Sequence, residues 1–284
     1  EGLDLEKVVG SLKEGKGLAS FPKGQGTFGE LLEKSRATML AEATPTDLKT
    51  GEPGLSHIRA ALSRGIHVTT TNKGPVSVAF DELSTLAKSC GAKFRYEGVV
   101  MSGTPLLQML RSGMDGCTVL KLEGILNGTT NFILTKMSDE GSSYAEALEE
   151  ATSLGYAESD PSGDVQGWDA AGKVSILAKI IFGKDIPVSE VERQGITCVT
   201  PEKIKEAFDS GYAVKLIAGL NWVNGMLYAY VTPKEIPFSH PLASIKGATN
   251  AVSITSDNLG EVTLIGPGAG RRETGQALLV DLIA

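Results

Sequence analysis

Four short segments of this 284-residue chain carry side chains suited to chemistry on a small polar molecule. The densest is GYAESDPSGDVQGWDAAGK, Gly155 to Lys173, where Glu158, Asp160 and Asp164 occupy a loop rich in Gly, Pro and Ser ahead of an apolar helix. Asp169 and Lys173 then fall four residues apart, which on a helix places both on one face. Taken alone, such a pair is a solvated ion pair worth a few tenths of a kcal/mol. Crowded by three further carboxylates, the same pair suits a site for a zwitterionic or polar substrate. A second segment, TTTNKGP from Thr69 to Pro75, ends a β-branched run in Asn72 and Lys73. That is the C-terminal strand edge where open α/β sheets bind ligands, although Lys73 by itself reads equally as a surface charge before a turn.

A third segment, RYEGVVMSGTPLL, sets Glu97 at a strand end before a loop of small residues, Ser102, Gly103 and Thr104. One carboxylate with inward backbone carbonyls could hold a hard cation; the competing reading is a capping loop without metal. The fourth, GILNGTTNFIL, turns at Asn127 and Gly128 and offers Thr129 as a helix N-cap. GPGAG, Gly266 to Gly270, presents backbone that a ligand can approach closely. A GxGxxG string at Gly24, Gly26 and Gly29, followed by Glu42, has the look of a dinucleotide fingerprint. A fingerprint needs a buried strand feeding the turn, and Pro22 and Lys23 stand in that place, so the string reads as a surface loop.

The elements that must position these groups follow from periodicity. From Arg36 to Met101, ATMLAEA, GLSHIRAALSRG, IHVTTTN, VSVAFDELSTLAKSCG and AKFRYEGVVM alternate strand and helix patterns, as in a parallel doubly wound sheet. CTVLKLEGI, a set of helices, and the runs GYAVKLIAGLNWV, NGMLYAYV and VTLIG then suggest an α+β unit with a hairpin turn at Asn224 and Gly225. The expectation is an α/β protein: an incomplete Rossmann-type nucleotide-binding domain over 1–97, lacking its opening strand and completed by an amphipathic helix within 266–284. A second α+β domain, for substrate and dimerisation, covers 98–265.

With 41% apolar and 21% charged residues the chain can bury a real core. A net charge of −7 with scattered basic residues excludes a nucleic-acid footprint. No apolar run approaches the roughly 20 residues of a membrane-spanning helix, and no signal segment opens the chain, so a cytoplasmic protein without membrane partners is expected. Cys90, Cys117 and Cys198 lack the paired spacing of a zinc site and are expected to be buried thiols.

Together, TTTNKGP, EGVVMSGTP, GILNGTTNFIL, GYAESDPSGDVQGWDAAGK and the terminal GPGAG, in this order, resemble the homoserine dehydrogenase family over roughly Ala37 to Ala284. The resemblance implies NAD(P)-dependent interconversion of L-homoserine and L-aspartate 4-semialdehyde, on the route to threonine, methionine and isoleucine. It implies Lys173 as the catalytic lysine and Lys73 as a second active-site lysine beside the nicotinamide. Glu158 and Asp169 would bind substrate, with the backbone of Gly155 and with Asp164 in support. Thr44 and Gly268, Ala269 and Gly270 would contact NADP or NAD. Glu97 and the backbone of Val100, Ser102 and Thr104 would hold a monovalent cation, usually sodium. A homodimer is implied, with an intersubunit sheet near Val214 to Val231. The segment that separates NAD from NADP is not in this sequence. The competing reading is a non-catalytic homologue that binds an amino acid or a partner but no dinucleotide.

Overall fold

The alternation between Arg36 and Met101 folds as a βαβαβ run in the computed structural model, which describes residues 4–17, 21 and 26–284. After α1 (Leu5–Lys13) and α2 (Phe28–Ser35) come β1 (Met39–Glu42), α3 (Gly54–Leu62), β2 (His67–Thr70), α4 (Lys73–Ser89) and β3 (Phe94–Arg95). A short α5 (Leu106–Gln108) leads to β4 (Val119–Ile125), α6 (Gly128–Glu140), α7 (Tyr144–Ser153), α8 (Ser162–Val165), α9 (Trp168–Phe182), β5 (Glu192–Arg193) and α10 (Pro201–Asp209). Four strands follow, β6 (Tyr212–Val223), β7 (Met226–Pro237), β8 (Thr249–Ser256) and β9 (Gly260–Pro267), then α11 (Arg271–Ile283).

Two sheets result, and the α/β class expected from the sequence holds. The first is parallel, in the order β1-β2-β3, with Leu40 beside Val68 and Val68 beside Phe94. Its apolar face packs on α2, α3 and α4 through Leu32, Leu55, Ile58, Leu62, Val68 and Leu83. The second has the order β5-β7-β6-β4-β8-β9 and is antiparallel except where β5 meets β7. Alternate residues of its strands, among them Leu122, Leu216, Leu220, Val231 and Ile254, join Ile133, Leu134, Val174 and Leu177 of the helices in the main core. The β6–β7 hairpin closes where expected: Asn224 and Gly225 both have positive φ, 51° and 78°, the twist a two-residue turn needs.

Several local expectations change. Lys73, Gly74 and Pro75 make no turn; they are the first residues of α4, with Asn72 as its cap, the side chain accepting from the Gly74 amide at 3.0 Å. Thr129 does not cap α6; Asn127 does, through the Thr130 amide at 2.9 Å. β3 is only two residues long, so Glu97 opens a 3-10 turn rather than ending a strand. β8, rich in Ser, Thr and Asn, has no counterpart in the sequence reading. Gly266 and Pro267 belong to β9, paired with Asn250 and Thr249, so the chain leaves the large sheet only after Pro267. Cys90 and Cys117 are half-buried and Cys198 is exposed, so none is a buried thiol; all three are free.

The glycine string has no structural counterpart as a fingerprint. Gly24, Pro22 and Lys23 lie outside the described residues, while Gly29 sits inside α2, whose N-terminus is closed by a capping box of Thr27 and Glu30. The Glu42 carboxylate is buried and taken up locally, accepting from the Thr44 amide at 2.7 Å, the Thr70 hydroxyl at 2.6 Å and the Thr44 hydroxyl.

α11 packs against β1 and β2, and it is not the amphipathic helix expected: its buried face is narrow, holding Ala277 and Asp281. Asp281 accepts from the Thr69 hydroxyl and from the Glu97 amide, both at 2.9 Å, and so joins the helix to β2 and to the turn after β3. Gly103 lies against the α11 backbone so closely that a Cβ would overlap the carbonyl of Glu273. Gly103→Ala is therefore expected to destabilise the chain by ~1–3 kcal/mol, the cost of overpacking against backbone. Urea unfolding of the two proteins checks this, and equal midpoints would show that α11 is free to yield.

Candidate active site

The two sheets meet at a cleft with about 2920 Å³ of open space. One wall comes from the strand ends of the parallel sheet, the others from the start of α6, the loop before α9, the head of β8 and the turn between β9 and α11. Of the residues selected from sequence, Lys73, Ser102, Gly155, Glu158, Asp164, Asp169, Lys173 and Gly268, Ala269 and Gly270 all line it. Thr44 does not: its amide and hydroxyl face Glu42, and its neighbour Ala43 takes the lining position. Glu97, Val100 and Thr104 are buried behind the wall.

At the centre, the Asp169 carboxylate bridges two ammonium groups. Lys173 Nζ donates to Oδ2 at 2.6 Å and Lys73 Nζ to Oδ1 at 2.8 Å. Asp169 and Lys173 sit on one face of α9, as their spacing requires. Lys73 arrives from the first turn of α4, ninety-six residues earlier in the chain, once the parallel sheet has placed that helix end. Burial alone would raise the Asp169 carboxyl, but Lys173 and Lys73 outweigh it and hold the group well below the usual carboxylate range. Lys173 also donates to the carbonyl of Leu126 at the end of β4, at 2.6 Å. Two of its three protons are thereby committed and one remains for a ligand.

From the sequence Asn127 reads only as a turn residue. It caps α6 through Oδ1, and its Nδ2 donates to Asp164 at 2.6 Å and to Asp169 at 3.1 Å. One amide thus ties the α6 N-terminus, the loop before α9 and the lysine bridge together. The Thr129 hydroxyl donates to the carbonyl of Tyr156 at 2.7 Å, holding that loop against α6. Glu158 lines the cleft, exposed, with no hydrogen-bond partner among the described residues, so its carboxylate is available to a ligand.

Behind the wall, Glu97 is 2% exposed. Its Oε1 accepts from the Leu107 amide at 2.9 Å, while Oε2 is buried without a partner. Burial pushes its carboxyl up to about 7; the Leu107 amide opposes this and Asp281 adds to it. The loop that follows turns through left-handed backbone at Met101 and Ser102. Among the described residues the carbonyls of Val100 and Ser102 accept no hydrogen bond, whereas that of Thr104 accepts from the Leu106 amide at 2.7 Å. A carboxylate oxygen and backbone carbonyls without hydrogen-bond partners are the types of donor a hard cation takes.

A parallel sheet and a large mixed sheet enclosing a Lys-Asp-Lys bridge beside a Gly-rich turn define an α/β protein with a charged cleft suited to a small polar molecule. The chain belongs to the homoserine dehydrogenase family: the family model for homoserine dehydrogenase matches residues 105–283. It is 43% identical over 279 residues to an NAD(+)-dependent homoserine dehydrogenase of Pseudomonas canavaninivorans, covering 94% of this chain and 79% of that one. The solved structure of an Archaeoglobus fulgidus protein assigned as a homoserine dehydrogenase matches with a TM-score of 0.88 at 36% identity, over 99% of this chain and 83% of that one. A mutant hyperthermophilic archaeal homoserine dehydrogenase in complex with NADPH matches with a TM-score of 0.83 at 33% identity, over 100% and 83%.

The depressed Asp169 carboxyl has a consequence for stability. A carboxyl lowered on folding stabilises the fold fully above its ordinary value of 3.8, and that contribution is lost as pH falls through the folded value. Asp169→Asn leaves two lysines without their anion and should cost about 3 kcal/mol near neutral pH. The gap between the two proteins in urea should stay level from neutral pH down to about 5 and close only in more acidic buffer. A gap that changes across the neutral range would mean that other groups set it.

Proposed function

We propose that this chain interconverts L-homoserine and L-aspartate 4-semialdehyde with NAD(P), as the catalytic body of a homoserine dehydrogenase. The observation that carries the reading is the Asp169 bridge between Lys73 and Lys173 at the mouth of the 155–164 loop. The bound nicotinamide supplies and accepts the hydride. The chain's part is to place the substrate carbon and manage charge on its oxygen. In the reductive direction the aldehyde oxygen gains negative charge as hydride arrives, and the uncommitted proton of Lys173 transfers to it, giving the alcohol; water restores that proton. Lys73, with two protons beyond its bond to Asp169, supports the same oxygen electrostatically. Asp169 acts by holding both ammonium groups, since each of its oxygens already accepts from one. Glu158 meets the substrate ammonium. Gly268, Ala269 and Gly270 give the dinucleotide a close backbone surface.

Initial rates of homoserine-dependent NAD(P)⁺ reduction test the reading directly. Lys173→Met should lower kcat by at least about a hundredfold, in the range of general acid-base contributions, while the variant still binds dinucleotide. A folded wild-type protein inactive with both cofactors would favour the non-catalytic reading, and a Lys173→Met variant within tenfold of wild type would remove Lys173 from the chemistry.

Glu97 with the carbonyls of Val100, Ser102 and Thr104 is proposed to hold sodium, which would give the orphaned Glu97 oxygen a partner. The Tm should be higher in sodium chloride than in choline chloride of equal ionic strength, and Glu97→Gln should abolish the difference. Equal values in the wild-type protein would argue for a metal-free capping loop. The β6–β7 hairpin leaves Trp222, Val223, Met226 and Tyr228 exposed, an apolar patch suited to the two-fold interface of a homodimer. None of the helices is long and apolar enough to cross a membrane among the described residues.

A further inference from the structure

The head of β8 contributes one side chain to the cleft for which no role has been given. Asn250 is 1% exposed, lines the cleft, and finds no protein partner for either Nδ2 or Oδ1. Buried side-chain amides are almost always paired, so this one is built to meet a group from elsewhere.

Its position is firmly set. Asn131 Nδ2 donates to the carbonyls of Gly247 and Thr249 at 2.8 and 3.2 Å, immediately before Asn250 in the chain. Lys215 Nζ, buried on β6, donates to Asn131 Oδ1 at 3.2 Å and to the carbonyl of Ile245. On the other side Asn250 pairs in register with Gly266, and the bare Cα of Gly268 lies flat on its amide. A Cβ at 268 would overlap Nδ2, Cγ and Oδ1 together.

The chemistry narrows the ligand. One neutral donor and one neutral acceptor side by side complement a group with the reverse pair, which is a primary carboxamide. Elsewhere in the cleft Glu158 answers the ammonium of the amino acid, and Lys73 and Lys173 its reacting oxygen. We propose that Asn250 is a cofactor-recognition residue, its amide pairing with the carboxamide of the nicotinamide ring as the Gly268 turn shifts aside to admit it. This inference rests on the reading of the cleft as a dinucleotide site.

Calorimetric titration without substrate tests it, using NADH, NADPH and their 3-acetylpyridine analogues, in which a methyl group replaces the carboxamide nitrogen and its donor. Wild-type protein should bind the natural dinucleotide about tenfold more tightly than the analogue, the worth of roughly one hydrogen bond. Asn250→Leu should bind the natural form about tenfold more weakly and lose the discrimination. If that variant does not fold, Gly268→Ala serves, because its added methyl displaces the Asn250 amide and should erase the discrimination with Asn250 intact. Unchanged discrimination in the folded variant would overturn the proposal. So would a weakened affinity for homoserine in the ternary complex with dinucleotide selectivity preserved, since the amide would then read the amino acid. Wild-type protein that binds neither dinucleotide would instead overturn the functional reading on which the proposal stands.

Discussion

One carboxylate shared by two ammonium groups governs the arrangement of this molecule. Asp169 and Lys173 are brought together by a single helix, but Lys73 reaches them only if α4 begins where it does, and that depends on β2 ending at Thr70 and Asn72 capping the helix. Without the anion two cations would face each other at the bottom of a cleft, at a Coulombic cost that low surrounding polarity magnifies. With it, three side chains from two helices, α4 and α9, form one hydrogen-bonded unit. The Asn127 amide and the Leu126 carbonyl then fasten that unit to the end of β4.

The rest of the fold serves this junction. The parallel sheet carries its ligand-facing edge to the cleft, the six-stranded sheet backs the α9 helix, and α11 closes the assembly by inserting Asp281 between β2 and the Glu97 turn. Close backbone approaches occur at the same places: Gly98 against Thr71 and Ala277, Gly103 against Glu273, Gly266 against Thr104. A side chain at any of these would push apart the 97–104 segment and its neighbours, Thr71, α11 and β9. Residues around the site thus accept tight packing and, on Glu97, Asp281 and Asn250, buried polar atoms without a protein partner.

Much of this was legible in the residues, for identifiable reasons. Asp169 and Lys173 lie within one helical turn, so spacing alone joins them, and the β-branched run before Asn72 marks a strand edge. The parallel order of the first three strands follows from their helical connections. The contact of Lys73 with Asp169 has no local signature because it joins two helices ninety-six residues apart in the chain. Asn127 looked like a turn because Asn is common both in turns and at helix caps, and only the folded chain shows its amide reaching two carboxylates. β8 escaped notice since Thr, Asn and Ser interrupt its apolar alternation, and Asn250 went with it. Thr44 is a cofactor contact only by the family resemblance, and here both of its donors go to the buried Glu42 beside it.

The sharpest test of the Asp169 bridge as one functional unit is a double-mutant cycle on kcat/KM for homoserine with Asp169→Asn, Lys173→Met and the pair combined. If the carboxylate acts by holding the lysines, the combined variant should fall no more than about tenfold below the worse single variant, because the second change removes something already lost. Losses that multiply would mean that Asp169 and Lys173 act independently on the substrate, and the bridge would then be packing alone.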